Sequence, residues 1–352
     1  MTLPISPPYP PMEALLVDTI PAGKDWQYEP KWDGFRCLAF KEGKNVELQS
    51  KSGQSLGRYF PELISALQEI KAKKFVLDGE IVIPIDGSFS FDDLLQRIHP
   101  AESRIRKLSQ EYPANIIVFD LLVSADGKLL ASQPLKERRR LLEIFVAQYL
   151  AQNPTLQLSP ATRQINMARS WLGMAGGKLD GIIAKRLDTS YQSGERTGMQ
   201  KIKRLRTADC VVGGFRYASK GGALGSLLLG LYDDGLLHHV GFTSSFSQPE
   251  RKALLQKVER LIQPPGFTGN APGGPSRWST RRSTEWQPLK PKLVVEVQYD
   301  HFTGNRFRHG TRFLRWRPDK SPKSCSMSQV TGSVPAVAAG TLELASRSTG
   351  KR

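Results

Sequence analysis

Eight consecutive residues, Glu29-Pro30-Lys31-Trp32-Asp33-Gly34-Phe35-Arg36, set a primary amine between two carboxylates, with a glycine turn and a guanidinium close behind. A lysine amine can attack an α-phosphate, expel pyrophosphate and keep the nucleotide as a phosphoramidate. It must first lose a proton that it ordinarily holds up to a pKa of about 10.4. Cationic neighbours or partial desolvation are therefore needed to make Lys31 a nucleophile. Asp33 could orient that amine or help arrange a metal, and the sequence does not separate the two. Alone, K-x-D-G is short enough to arise by chance, and a solvated lysine beside a turn is then the plainer reading.

Further charged residues follow in an order that suits the same chemistry. Asp78-Gly79-Glu80 sits in an apolar run whose period of two puts both carboxylates on one face. Glu80 there could hold a ribose hydroxyl or a magnesium-bound water; a solvent-facing acidic face is the alternative. Phe119 points away from Asp120 in an apolar strand, which suits core packing or stacking on a base. Asp180 opens the stretch Asp180-Gly181-Ile182-Ile183-Ala184-Lys185 with a carboxylate suited to a hard cation, or to a turn. Lys201-Ile202-Lys203 alternates, so a strand would aim two ammonium groups at one point, a focus for polyphosphate. Arg317-Pro318-Asp319-Lys320 repeats that device near the end of the chain.

These residues need elements to hold them. Phe75–Ile83 reads as a strand broken by a glycine and Asn115–Val123 as a buried one. Helices are expected over Pro61–Ile70, with Leu63, Leu67 and Ile70 on one stripe, and over Pro134–Leu150. In the second, Arg138 and Arg139 interrupt a stripe of Leu135, Leu142, Phe145 and Tyr149. A third helix over Asn166–Ala175 should end at Gly176-Gly177. After Arg206 the character changes to short strands at Val211–Tyr217, Ser226–Tyr232 and Leu236–Phe242, with glycine turns at Lys220-Gly221-Gly222 and Asp233-Asp234-Gly235. A helix at Leu254–Ile262, a Pro/Gly-rich loop through Ser276 and strands at Leu293–Tyr299 and Phe313–Trp316 complete the pattern. Short strands with one inserted helix suggest a small antiparallel barrel, of which the OB-fold is the nucleic-acid-binding example. The expected class is α+β, with a first domain over 1–206, a barrel over 207–325 and a disordered tail over 326–352.

Composition narrows the partners. Fifty Lys+Arg against thirty-three Asp+Glu give a formal charge of +17, which suits a polyanion. Between Arg277 and Lys320, eleven basic residues stand against four acidic ones, interleaved with Trp278, Trp286, Tyr299, Phe302, Phe307, Phe313 and Trp316. That mixture predicts phosphate contacts beside stacking surfaces. No apolar run is long enough to span a bilayer. Cys37, Cys210 and Cys325 lie far apart without a C-x-x-C pair, which argues against structural zinc and disulfides and fits a reducing cytoplasm.

The ordered set resembles the covalent nucleotidyltransferase superfamily of DNA ligases, RNA ligases and mRNA capping enzymes. Lys31–Gly34, Ser50–Gly53, Asp78–Glu80 with Phe119-Asp120, Asp180–Lys185, Lys201–Lys203 and Arg317–Lys320 follow the family's motif order over nearly the whole chain to Lys320. The stretches YEPKWDGFR, RTADCVVGGFR and RFRHGTRFLRWRPDK are similar to bacterial ATP-dependent DNA ligases of the minimal LigC type. The resemblance implies a nucleotidyltransferase (adenylation) domain of two antiparallel sheets with flanking helices, then an OB-fold β-barrel domain. It implies that Lys31 carries AMP, Glu29 reads the adenine amino group, Arg36 and Glu80 meet the ribose, and Phe119 stacks on the base. Asp180, with Glu80, would hold Mg2+; Lys201 and Lys203 would neutralise the α-phosphate; Arg317 and Lys320, positioned by Asp319, would orient pyrophosphate. Asp33 and Asp78 support their motifs. Asp180 stands where glutamate is usual, and Lys51 where arginine often contacts the nick phosphate, so both roles are altered in reach.

ATP is the implied donor, because the extra modules of NAD-dependent ligases are missing. Only thirty residues precede Lys31, so the N-terminal DNA-binding domain of large ligases is not expected. Nicked duplex DNA is the implied partner, with other DNA-repair proteins alongside, no membrane, and a monomer in the bacterial cytosol and nucleoid. A GTP-using capping guanylyltransferase, an RNA ligase and a non-catalytic OB nucleic-acid-binding protein are the competing readings.

Overall fold

Asn115–Val123 is buried along almost its whole length, which is why it reads as an unbroken apolar run and not as an alternating one. It forms the middle of a layered first unit. The computed structural model describes residues 3–85, 87–175, 179–218, 222–273 and 285–331, and these fall into two compact units that divide at Leu205.

The first unit runs β1 (Leu15–Leu16), β2 (Trp26–Lys31), β3 (Phe35–Glu42), β4 (Asn45–Ser50), α1 (Pro61–Glu69), β5 (Lys74–Val82), β6 (Pro84–Ile85), β7 (Ser88–Phe89), α2 (Phe91–Gln96), α3 (Glu102–Glu111), β8 (Asn115–Val123), α4 (Leu135–Phe145), β9 (Leu156–Leu158), α5 (Ile165–Gly173), β10 (Gly181–Arg186) and β11 (Met199–Ile202). Two main sheets result, ordered β4-β3-β5-β8-β9 and β1-β11-β10-β2, beside a two-stranded ribbon of β6 and β7. The expectation of purely antiparallel sheets needs correction, because β9 joins β8 and β1 joins β11 in parallel. β9 returns after α4, a connection long enough for a parallel crossover. One face of the five-stranded sheet offers Cys37, Ala39, Leu77 and Ile81 to Leu63 and Leu67 of α1 and to Leu142 and Phe145 of α4. The other offers Leu38, Phe40, Val76 and Leu122 to Met12, Tyr191 and Met199.

Two local features bear on the sequence reading. The buried Lys41 ammonium donates to the carbonyls of Leu67 and Gln68 at 2.8 and 2.9 Å and to that of Ile70, neutralising the C-terminus of α1. In α4, Arg138 and Arg139 do not interrupt the buried face but belong to it. Arg138 donates twice to Asp120, at 2.9 and 3.0 Å, and Arg139 donates to the Ser159 carbonyl at 2.9 Å. Charges tolerate such burial only when paired. The helix itself stops at Phe145 and continues to Leu150 as a π-helical turn. The Gly176-Gly177 stop expected for α5 lies outside the described residues.

The second unit comprises β12 (Arg206–Tyr217), β13 (Leu224–Asp233), β14 (Leu236–Thr243), α6 (Gln248–Glu259), β15 (Gln287–Pro288), β16 (Val294–Tyr299), β17 (Phe302–Thr303), β18 (Arg306–Phe307), β19 (Arg312–Trp316) and α7 (Ser328–Thr331). Its main sheet has the order β14-β13-β12-β16-β19, antiparallel throughout. Asp234 and Gly235, both at positive φ, make the expected tight turn between β13 and β14. The expected barrel is an open, curled sheet. Among the described residues no ladder joins its edge strands, which meet at a bridge between Thr243 and Thr311, because the chain leaves β14 for α6. That helix starts well before Leu254, at a capping box of Ser247 and Glu250.

Ser326–Thr331, expected as tail, is ordered: Ser326 bridges to Tyr232, and Met327 and Val330 join the core. Residues 332–352, Lys220-Gly221 of the predicted turn, and Arg277, Trp278, Arg281 and Arg282 lie outside the described residues.

Candidate active site

Strand register assembles the first half of the site. On β2, Gln27, Glu29 and Lys31 share one face by the period of two. β10 sets Ile183 opposite Glu29 and Lys185 opposite Gln27, and β11 sets Lys201 opposite Ile183. The second half comes from the other sheet, where Arg36 of β3 pairs with Glu80 of β5. Phe119 sits where the β5–β8 register slips between Asp78 and Gly79. Gly34, at the corner between β2 and β3, is needed for close approach: a Cβ there would strike the Ile81 carbonyl oxygen and crowd the Glu80 side chain.

Glu29, Lys31, Arg36, Glu80 and Phe119 all line one pocket, together with Trp32, Ile183, Lys185 and Met199. The Lys31 ammonium is paired with the Asp180 carboxylate, which also holds Lys203 Nζ at 3.1 Å. Burial, then the nearby charges of Lys31 and Lys203, push the Lys201 ammonium below the usual lysine range. Glu29, only 2% exposed, accepts from Gln27 Nε2 and from Lys185 Nζ, each at 2.8 Å. Lys185 Nζ and Arg36 Cζ each lie 4.6 Å from the Phe119 ring centroid.

Arg36 grips the fully buried Asp78 through two parallel hydrogen bonds of 2.5 and 2.6 Å. The neighbouring Glu80 carboxyl is pushed up to about 7 by burial; Lys31 and Arg36 oppose the rise, and Asp78 and Asp33 add to it. Asp78 and Glu80 thus both face Arg36, as the alternation predicts.

Lys51 does not line the pocket. It is exposed and pairs with Glu13 at 3.1 Å, sharing the same carboxylate oxygen with Arg196 at 3.2 Å. In the second unit, Arg317, Asp319 and Lys320 form their own cluster. Arg317 donates to Asp319 at 2.7 Å and to Asp209 at 2.9 Å, and Lys320 lies 3.3 Å from Asp209. Its hydrogen bond with Arg317 holds Asp319 down at about 2.

The basic stretch divides by face. Arg306, Arg312 and Arg315 are exposed, whereas Tyr299 and Phe307 are core residues and Trp286, Phe302, Phe313 and Trp316 pack against that core. The interleaved aromatics therefore serve mainly as packing, and the expected row of stacking platforms is corrected to a cationic surface over an aromatic interior.

Sequence reading places Lys185 in a motif without giving it a role and assigns none to Tyr191 or Asp209. Lys185 was within reach, because it is two residues beyond Ile183 on the same strand face. Nothing local marks Tyr191 or Asp209.

Two family models match: the ATP dependent DNA ligase domain over residues 11–203 and the ATP dependent DNA ligase C terminal region over 220–320. The chain is 43% identical to DNA ligase C2 of Mycolicibacterium smegmatis and 42% identical to DNA ligase C of Mycobacterium tuberculosis; each match covers 94% of this chain and 96% of the relative. Among solved structures, a Lig E DNA ligase is similar in fold, with a TM-score of 0.55 at 18% identity, covering 87% of this chain and all of that one.

Proposed function

Because the chain belongs to the ATP-dependent DNA ligases, we propose that Lys31 is the residue on which it carries AMP. The protein is an ATP-dependent DNA ligase, sealing 5′-phosphate/3′-hydroxyl nicks through a lysine-AMP intermediate. The observation that carries the assignment is a single pocket holding Glu29, Lys31, Arg36, Glu80 and Phe119, with Lys31 tied to Lys203 through Asp180.

The residues divide the work as follows. The Lys31 amine attacks the α-phosphorus of ATP; an N–P bond forms, the bond to pyrophosphate breaks, and the lysine proton is lost. AMP then passes to the 5′-phosphate of the nick, freeing Lys31, and the 3′-hydroxyl attacks that phosphate and expels AMP. Glu29 accepts from the adenine amino group, Phe119 stacks on the base, and Arg36 and Glu80 meet the ribose. Lys201 and Lys203 offset charge on the α-phosphate. Arg317 and Lys320, positioned by Asp319 and Asp209, orient pyrophosphate, and Lys51 meets a DNA phosphate. In the free protein the Lys31 side chain is engaged by the Asp180 carboxylate, so that contact must give way before the amine attacks phosphorus.

Asp180, at Lys31, and Glu80, in the pocket wall, offer carboxylate oxygens, the donor type a hard cation takes, and this donor set fits Mg2+. When bound, that ion would draw charge from the phosphate oxygens. No helix among the described residues is long and apolar enough to cross a membrane. A monomer in the bacterial cytosol, working with other repair proteins, completes the reading.

The test is incubation with α-labelled ATP or GTP and magnesium, followed by nicked DNA or RNA. ATP should label the protein, the label should chase into sealed DNA, and Lys31→Ala should take none. Labelling of Lys31→Ala would place the intermediate elsewhere. Labelling by GTP would point to a guanylyltransferase, and sealing confined to RNA to an RNA ligase.

A further inference from the structure

Tyr191 belongs to none of the six motifs, yet its hydroxyl sits among the groups that hold Arg36, and it lines a small cavity that shares Arg36, Phe119, Lys185 and Met199 with the pocket. It donates to Asp78 Oδ2 at 2.6 Å and accepts the Met12 backbone N–H at 3.0 Å. The same Asp78 oxygen accepts from Arg36 Nη2, and the Met12 carbonyl lies 3.4 Å from that nitrogen. Met12 thus touches both ends of the Arg36–Asp78–Tyr191 chain. We infer that Tyr191 is a positioning residue for nucleotide binding: its hydroxyl fixes the Asp78–Arg36 pair and fastens that pair to the N-terminal segment at Met12.

The physical case rests on what each group would do alone. A fully buried carboxylate needs its lone pairs filled, and an arginine side chain has many rotamers to lose. With Tyr191 in place, Asp78 has one orientation, and Arg36 is held at the Phe119 ring. The tyrosine is itself braced. The Arg138 guanidinium lies 5.6 Å over its ring, and the Tyr9 ring stacks at 6.4 Å. The segment that supplies Tyr9 and Met12 is anchored on both sheets: Tyr9 exchanges two 2.7 Å hydrogen bonds with the Gln49 side chain, and Leu15-Leu16 pairs with Gln200-Lys201. Burial also keeps the phenol protonated, as a donor to Asp78 must be.

The inference rests on the reading that places Arg36 at the ribose, and the experiment separates the two. Self-adenylylation of the full chain is measured with ATP and with its 2′-deoxy and 3′-deoxy forms, for wild type, Tyr191→Phe, Arg36→Ala and the double variant. Tyr191→Phe keeps the ring and removes only the hydroxyl. It should raise the KM for ATP about tenfold with kcat within about twofold, the cost of one hydrogen bond to a charged group. It should also shrink the preference for ATP over the deoxy forms, and add little to Arg36→Ala. If Arg36→Ala abolishes that preference while Tyr191→Phe lowers only the melting temperature, Tyr191 is merely structural and the inference falls, with the ribose reading intact. If Arg36→Ala leaves the preference untouched, the ribose reading falls. The inference is then decided by coupling alone: non-additive KM effects uphold it, and additive ones overturn it.

Discussion

Replacing Lys185 with methionine tests the site at a buried charge pair. Lys185 Nζ and Glu29 Oε2 are 2.8 Å apart, with side chains 8% and 2% exposed. Removing the ammonium leaves the Glu29 carboxylate in the interior with, among the described residues, the Gln27 amide alone donating to its side chain, at 2.8 Å. Losing one partner of a buried pair costs about 3–5 kcal/mol, and the surviving Gln27 bond argues for the lower end, about 3 kcal/mol. For a domain of this size that corresponds to a fall in melting temperature of about 6–12 °C. Adding Glu29→Gln to Lys185→Met removes the stranded charge while keeping an acceptor for Gln27. The double variant should therefore recover about 2 kcal/mol, which makes the two substitutions strongly non-additive.

Hydrogen exchange of peptides from β2 and β10 localises the effect to the first unit, and self-adenylylation gives the functional half. Lys185→Met should protect those strands least. The double variant should regain protection yet still bind ATP poorly, because a glutamine offers adenine a weaker acceptor. Additive stability losses would refute the pair's energetic role. A double variant that binds ATP as tightly as wild type would remove Glu29 from adenine recognition.

Glu80→Gln should remove a pH dependence: burial pushes the folded carboxyl up to about 7 against an ordinary 4.5, so the folded state binds the extra proton between those values and loses stability as pH rises through 7. Denaturant melts without divalent cations should show Glu80→Gln gaining about 2 kcal/mol on wild type from pH 5.5 to 8. His239 has the opposite sign: burial holds it at about 3 against 6.5, so the unfolded chain takes up the proton first on acidification. Exchange of β13 and β14 peptides should report a loss of about 2 kcal/mol between pH 7.5 and 5, absent in His239→Phe. Gly34→Ala would drive a methyl into the Ile81 carbonyl beside Glu80, so adenylylation should fall by about a hundredfold, through displacement of Lys31, while the fold survives by circular dichroism.

What the sequence disclosed and what it hid follow from the range of the interactions. Asn115–Val123 is found at the predicted residues because burial on both faces writes itself into every position. Asp78 with Glu80 was recoverable as a pair because alternation along a strand is local, whereas the strand that puts Glu29 and Lys31 on one face is seen only in the fold. Partnerships across the sheets were not: Lys185 meets Glu29 across 156 residues, Tyr191 meets Asp78 across 113, and Arg317 meets Asp209 across 108. For the same reason Arg138 looked like a break in an apolar stripe, since its carboxylate lies on another element. These long-range pairs are also what a strongly cationic chain requires. Lys31 and Lys203 share Asp180, Arg36 has Asp78, and Arg317 has Asp209. Without such partners, grouped ammonium and guanidinium groups would repel one another in the free protein and resist desolvation. In the proposed reaction, phosphates reaching Lys31, Lys203 or Arg317 would therefore exchange with resident carboxylates and not fill bare cations. Residue types show which groups can bind phosphate; only the register of the folded strands shows what each must release to do so.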